Sequence, residues 1–285
     1  MTHLTPLLVR TFGRTGSTLL MQVFGTGENV CFERQYPFEQ RYLTYVHELS
    51  RVIGLPEKQT GQWNNDMLFS GRSDVVGSLP YHDVNALDRA LLSDLCYVAL
   101  WEQFSEAMRR ERGMEPGEAG FYAEKVPHHV VDRANEHLKA RNVFLLRDPR
   151  DELVSIKSFN AKRGFNGFGW CPDDTDLSYA RKMCGNRRVF LRNLVGFETN
   201  PRRIAVRYED LIRKGPEEVE RLSEWLGTPL SHAEATRDKK IKKQHMTSKD
   251  PAASVERWRT ELDDEVQSLF AKEIGDELST LGYRV

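Results

Sequence analysis

The chain has 285 residues, 39% hydrophobic and 29% charged, with a formal net charge of −1 at pH 7. That balance describes an ordinary soluble globular protein and argues against bulk electrostatic attraction to nucleic acid or membrane. Cys31, Cys96, Cys171 and Cys184 have neither CxxC spacing nor framework density, and no uncharged run approaches the roughly 20 residues of a membrane span. The expectation is a cytoplasmic protein with free thiols, no membrane span and no nucleic-acid partner.

The first strand is read at Leu7–Phe12, followed by the turn Gly13-Arg14-Thr15-Gly16 and a helix with Leu19, Leu20, Val23 and Phe24 on one stripe. The first N–H groups of a helix lack intrahelical partners and carry partial positive charge, so this arrangement builds an anion cradle. Gly13 and Gly16 permit close backbone approach, Ser17 and Thr18 offer hydroxyls, and Arg14 supplies a forked cation. A triphosphate loop needs a lysine just before its hydroxyl. Gly16-Ser17-Thr18 has none, so the cradle is written for a different anion.

A second strand spans Asn29–Phe32, with Glu33-Arg34 directly after it, and a helix is expected from Tyr36 to Ile53, with Phe38, Tyr42, Tyr45, Val46, Leu49 and Ile53 on one side. Residues 54–82 are polar and turn-rich, without periodicity, and are assigned to acceptor recognition. The helix from Val84 to Arg112 is expected to face a core with Leu87, Leu91, Leu92, Leu95, Val98 and Phe104. A strand at Phe121–Val126 and a helix from His128 lead to the strand Asn142–Leu146, which runs into Arg147-Asp148-Pro149-Arg150-Asp151. Arg147 at the strand tip and Ser155 eight residues later could together hold a phosphate; alternatively Arg147 and Asp148 form a surface pair of little weight.

Residues 161–174 set Phe165, Phe168 and Trp170 among glycines, either as a flap over a pocket or as a loop anchored by its aromatics. Further helices are read at Leu177–Phe197, Glu217–Leu226, Ser231–Lys243 and from Ser254 onward, with a strand at Arg203–Tyr208. Lys239, Lys240, Lys242 and Lys243 read as a solvated helix face and Trp258 as core. Alternating strands and helices give one α/β domain over 1–285 with a parallel sheet, whose ligands bind beyond the carboxyl ends of the strands. The turns at Gly13, Glu33, Arg147 and Tyr208 all lie at such ends.

Together these stretches resemble the sulfotransferases that use 3′-phosphoadenosine 5′-phosphosulfate (PAPS), in the bacterial type and closer to the carbohydrate and tyrosylprotein branch than to cytosolic phenol sulfotransferases. Phe12 to Leu20 resembles the family's 5′-phosphosulfate loop, and Arg147 to Ser155 its 3′-phosphate motif. Val206-Arg207-Tyr208-Glu209-Asp210-Leu211 is similar to the segment whose tyrosine lies near the adenine, and Ser254-Val255-Glu256-Arg257-Trp258 to a serine-x-x-arginine-tryptophan stretch of bacterial members. The resemblance implies a P-loop NTPase-like three-layer fold, a central parallel sheet flanked by helices. It also implies transfer of a sulfuryl group from PAPS to an acceptor hydroxyl or amine, leaving 3′-phosphoadenosine 5′-phosphate (PAP), with no metal. The nucleotide residues it implies are Arg14, Thr15, Gly16, Ser17, Thr18, Leu19, Arg147, Ser155 and Tyr208.

Departures from the family pattern bear on the rest. Gly13 replaces a proline, and Arg14 stands where cytosolic members have lysine. The arginine-lysine-glycine triplet that grips the 3′-phosphate is absent, leaving Lys249 or Arg257 as substitutes. The family's lysine-threonine-histidine base is also missing: Lys125 is followed by Val126-Pro127, and His128 comes one place late. By analogy with members acting on carbohydrate or protein, Glu33 is assigned as general base, with the histidine His128 as the alternative, and Lys125 as a second cation. The competing readings are an ATP-dependent small-molecule kinase, which would need the missing lysine and use Asp148 for magnesium, and a non-catalytic nucleotide-binding relative. The sequence carries no readable code for the acceptor (carbohydrate, small metabolite or peptide) or for the oligomeric state.

Overall fold

Strand β1 (Thr5–Arg10) buries its four central residues and feeds α1 (Ser17–Gly25) through the glycine turn. The computed structural model describes residues 3–34, 38, 41–54, 88–194, 199–237, 247–248 and 250–285. Its parallel sheet has five strands in the order β2-β3-β1-β4-β5, with β2 at Val30–Cys31, β3 at Phe121–Lys125, β4 at Arg141–Leu146 and β5 at Arg203–Arg207. Cys31 stands opposite Tyr122, and Asn142–Leu146 pairs residue by residue with Arg203–Arg207. The chain leaves β1 toward β2 on one side and later returns to β4 on the other, which makes the carboxyl end of β1 a switch point where α/β sheets bind ligands.

Contacts group the chain into two compact units. The first comprises residues 1–8, 29–33 and 39–141. Its core joins Leu4, Leu8, Tyr97, Trp101, Tyr122, Val130 and Leu138, under α2 (Tyr42–Arg51), α3 (Arg89–Arg112) and α4 (His128–Leu138). Trp101 Nε1 donates to the Leu4 carbonyl at 2.9 Å, so the indole is buried with its polar edge satisfied. The buried Glu124 carboxylate accepts the Leu43 and Thr44 N–H groups at 2.8 and 3.1 Å. It thereby caps α2 where the helix dipole favours an anion.

The second unit comprises residues 9–28, 34–38 and 142–285. Its core gathers Phe144, Leu153, Met183, Leu191, Phe270 and Ile274, where α5 (Pro149–Arg163), α6 (Asp176–Arg192) and α11 (Asp264–Thr280) meet β4. Four short helices complete it: α7 (Tyr208–Arg213), α8 (Gly215–Leu226), α9 (His232–Ala235) and α10 (Trp258–Glu261), with a 3-10 turn at Ala252–Ser254. Trp258 belongs to the core, as expected.

Several sequence expectations shift. β1 ends at Arg10, which leaves Thr11 and Phe12 to the loop, and Tyr208 opens α7 rather than closing a strand, with Glu209 and Asp210 favouring its first turn. The core face of α3 is Ser93, Tyr97, Trp101, Ser105 and Met108; Leu91 and Leu95 are exposed. Large aromatics at four-residue spacing win that face, helped by small serines that let neighbours approach. On α2 the buried side chains are Leu43, Val46, His47 and Ser50, and Tyr45 and Leu49 are exposed. Residues 55–82 of the irregular segment, Lys239 to Lys243 and Lys249 lie outside the described residues. Among the described residues no helix is long and apolar enough to cross a membrane, and all four cysteines are free thiols.

Candidate functional site

The glycine turn is held in place from below. Thr11 Oγ1 donates to the Leu145 carbonyl at 3.1 Å and meets Thr15 Oγ1, and Thr15 Oγ1 donates to the Phe12 carbonyl at 2.9 Å. Phe12 packs edge-on against Phe190 at 5.0 Å and lies under the Arg187 guanidinium at 3.6 Å, which in turn bonds the buried Glu152 through Nε at 3.1 Å. Arg14 and Gly16 both adopt left-handed backbone, with φ of 68° and 90°. For arginine that conformation costs about 1 kcal/mol or more, so the surrounding contacts hold a strained turn. Gly16 is also the N-cap of α1 and makes no side-chain cap; Leu19 N–H turns back to the Gly16 carbonyl at 3.0 Å, which leaves the N–H groups of Ser17 and Thr18 to face an anion.

Two aromatic rings press on the two glycines. A β-carbon at Gly13 would lie 2.4 Å from the Phe168 ring, and one at Gly16 2.3 Å from the Tyr208 ring. The contact from Phe168 accounts for glycine at 13, where the resembling family has proline. The loop carrying Phe168 is pinned: the Tyr179 hydroxyl donates to the Phe168 carbonyl at 2.6 Å, Trp170 stacks on Tyr179 at 4.4 Å, and Asn160 Oδ1 accepts the Gly167 N–H at 3.1 Å.

Arg147 extends from the tip of β4 and is almost wholly buried. It donates to the Arg14 carbonyl and the Ser254 carbonyl, both at 2.7 Å, and stacks over the Tyr208 ring at 4.6 Å. The surface-pair reading is therefore corrected: Asp148 pairs with Arg150 instead, at 2.8 Å, because its position as N-cap of α5 turns it toward that side chain. The Tyr208 hydroxyl and Ser254 Oγ are 2.7 Å apart. Arg14 Nε donates to Ser155 Oγ at 3.2 Å, with its guanidinium 4.1 Å over Phe159. The two halves of the sequence motif thus meet directly.

Arg257 lies along the same helix. It donates to Ser158 Oγ at 3.1 Å, one turn beyond Ser155, and to Thr247 Oγ1 at 3.2 Å, while Glu261 accepts from Nε at 2.7 Å. The 254–258 segment is clasped by Asp151, whose carboxylate accepts the Glu256 and Trp258 N–H groups at 2.7 and 3.0 Å. Burial pushes Asp151 up to about 6, against the lowering pull of Arg147. Glu209 accepts the Asp148 N–H at 2.9 Å and the Tyr283 hydroxyl at 3.2 Å, and burial likewise pushes it up to about 6.

The remaining sequence candidates sit in the first unit. Glu33 follows β2 by two residues and Lys125 ends β3; the parallel pairing of these strands puts both at their carboxyl ends. The Glu33 charge raises the Tyr42 phenol, second to burial. Lys125 is buried, whereas His128 is exposed at the start of α4. The sequence does not mark Phe159, Ser158 or Thr247 as site residues, whereas Phe168 lies in the 161–174 loop read as a flap or an anchored loop. Only Ser158 had a readable signal, its i+3 spacing from Ser155.

A model of the sulfotransferase family matches residues 6–232. Among solved structures, the sulfotransferase domain of the Synechococcus PCC 7002 olefin synthase is 15% identical, with 100% of this chain and 97% of that one covered and a TM-score of 0.53. The sulfotransferase domain of the curacin biosynthetic pathway is 16% identical over 100% of both chains, with a TM-score of 0.48. A sulfotransferase from Alicyclobacillus acidocaldarius is 11% identical over 99% of this chain and 97% of that one, with a TM-score of 0.49. The first of these likenesses shows a shared fold. No curated protein matches the chain.

Proposed function

The chain belongs to the sulfotransferase family, and from that premise we propose that its sulfuryl donor is PAPS and that 1–285 works as one sulfotransferase domain. The observation that carries the reading is the Arg14–Ser155 bond, braced by Arg147 on the Arg14 carbonyl. It sets a cation and a helix hydroxyl beside the uncapped N-terminus of α1, a suitable bed for a nucleotide with phosphates at both 5′ and 3′ positions. In this reading Thr15, Gly16, Ser17, Thr18 and Leu19 surround the 5′-phosphosulfate, and Ser155 and Arg257 hold the 3′-phosphate. Tyr208 lies near the adenine. Arg147 Nε is buried with no hydrogen-bond partner among the described residues, and a phosphate oxygen would give it one.

In the transfer, the acceptor oxygen or nitrogen attacks sulfur while the bond from sulfur to the bridging phosphate oxygen breaks, and PAP leaves. Arg14 and the α1 N–H groups stabilise the negative charge that grows on the leaving phosphate. Glu33 takes the acceptor proton, with Lys125 a second cation near the moving group. The kinase reading is not favoured, because Gly16-Ser17-Thr18 lacks the lysine that would reach the outer phosphates of ATP. Four free thiols agree with a cytoplasmic setting.

Incubation with 35S-labelled PAPS and panels of sugars, phenols, small metabolites and tyrosine peptides tests the reading. Labelled product with PAP release from at least one panel is expected. Labelled phosphate transfer from ATP with no sulfuryl transfer would overturn it.

A further inference from the structure

The first unit also holds a cluster of metal-ligating side chains. His47 and Glu48 lie on α2, and His129 is the second residue of α4. One ring nitrogen from each histidine and one Glu48 carboxylate oxygen all lie within 4.8 Å of one another. His129 Nε2 and Glu48 Oε1 are already 2.8 Å apart. Ligands held at about 2.0–2.1 Å in a tetrahedral zinc site stand roughly 3.3 Å from each other, so this pair needs little movement.

His47 is buried, and its Nδ1 has no hydrogen-bond partner among the described residues. The His129 ring stands at 62° to it with centroids 5.5 Å apart. Glu48 and His129 keep 40% and 56% of their side chains exposed, which gives an ion a route in from solvent. Two arginines stand nearby, and neither bonds Glu48 Oε1. Arg51 Nε bonds the other carboxylate oxygen of Glu48, Oε2, at 3.0 Å. Arg133 is tied to Asp94, Ser50 and Ser93 at 2.8 to 2.9 Å. Glu48 Oε1 is thus open to exchange its hydrogen bond with His129 for a metal.

We propose that His47, Glu48 and His129 bind Zn2+, with water as fourth ligand, and that the ion fastens α2 to the first turn of α4. Two imidazoles and one carboxylate form a donor set suited to zinc. To ligate through Nε2, His129 gives up its hydrogen bond to Glu48 Oε1 and carries its ring proton on Nδ1.

The test is calorimetric titration of tag-free, chelator-stripped protein with ZnCl2, with Co2+ absorption reporting the geometry. One ion per chain at micromolar affinity or tighter, ligand-field bands of tetrahedral Co2+ and a Zn2+-dependent rise in Tm are expected. Glu48→Gln and His129→Ala, both at exposed positions, should keep the metal-free Tm and weaken binding roughly tenfold or more. His47→Gln serves as a third variant. Absence of binding below millimolar Zn2+, or wild-type affinity in Glu48→Gln and His129→Ala, would overturn the assignment.

Discussion

The Phe168 ring lies so close to Gly13 that a β-carbon there would be 2.4 Å from it. Gly13→Ala should therefore destabilise the protein by about 1–3 kcal/mol through overpacking. Because the obstacle is a single side chain, Phe168→Ala in the same chain should recover at least half of that loss. A urea-denaturation double-mutant cycle reads the coupling. Additive losses would mean that the ring does not rest on Gly13.

Arg147 stitches the Arg14 carbonyl to the Ser254 carbonyl. Arg147→Ala strands both acceptors and should cost about 2–4 kcal/mol. Arg147→Lys should restore only part of it, since an ammonium cannot reproduce a planar fork on two separate oxygens. Equilibrium unfolding in guanidinium checks both, and equal stability of the three proteins would refute the stitch.

Much of this arrangement was readable beforehand and some was not, for physical reasons. The strand–turn–helix at Gly13, the Arg147–Ser155 spacing and the parallel α/β order follow from period and turn chemistry, which are local properties. The Phe168–Gly13 contact joins residues from opposite ends of a long sequence gap, and a glycine conserves no record of which ring lies on it. Similarly, Leu91 and Leu95 read as core by hydrophobicity alone, yet the buried face of α3 is set by Tyr97 and Trp101, and the partners of Trp101, Leu4 and Tyr122, are distant in sequence. Arg147 was foreseen as a phosphate ligand, but its two backbone acceptors had no signature in sequence.

Asp151 and Glu209 make stability depend on pH. Both have native pKa values of about 6, raised above their ordinary values by burial. Between about pH 4 and 6 the native state keeps protons that the unfolded chain has lost, so this contribution to stability falls as pH rises through that window. Asp151 accounts for roughly 3 kcal/mol and Glu209 for roughly 2 kcal/mol. Urea midpoints for Asp151→Asn should show a shallower decline from pH 4 to 6 than the wild type. An unchanged slope would remove Asp151 from the account.

Glu33 and Arg14 have separable roles in the proposed transfer. Glu33→Gln should lower kcat by about 10²- to 10⁴-fold while leaving PAP affinity unchanged. Arg14→Ala should lower kcat and also weaken PAP, because its guanidinium bonds Ser155 within the cradle. Rapid-quench turnover with PAPS, paired with PAP binding, distinguishes the two. Wild-type turnover in Glu33→Gln would show that another group takes the proton.

The Arg14–Ser155–Arg147 cradle suits a nucleotide bearing both a 5′- and a 3′-phosphate. Calorimetric titration with PAP, with adenosine 5′-phosphate and with ATP plus magnesium tests it most directly. PAP should bind most tightly, removal of the 3′-phosphate should weaken binding, and Ser155→Ala should narrow the difference. Tighter binding of magnesium ATP than of PAP, or equal affinity for PAP and adenosine 5′-phosphate, would contradict it.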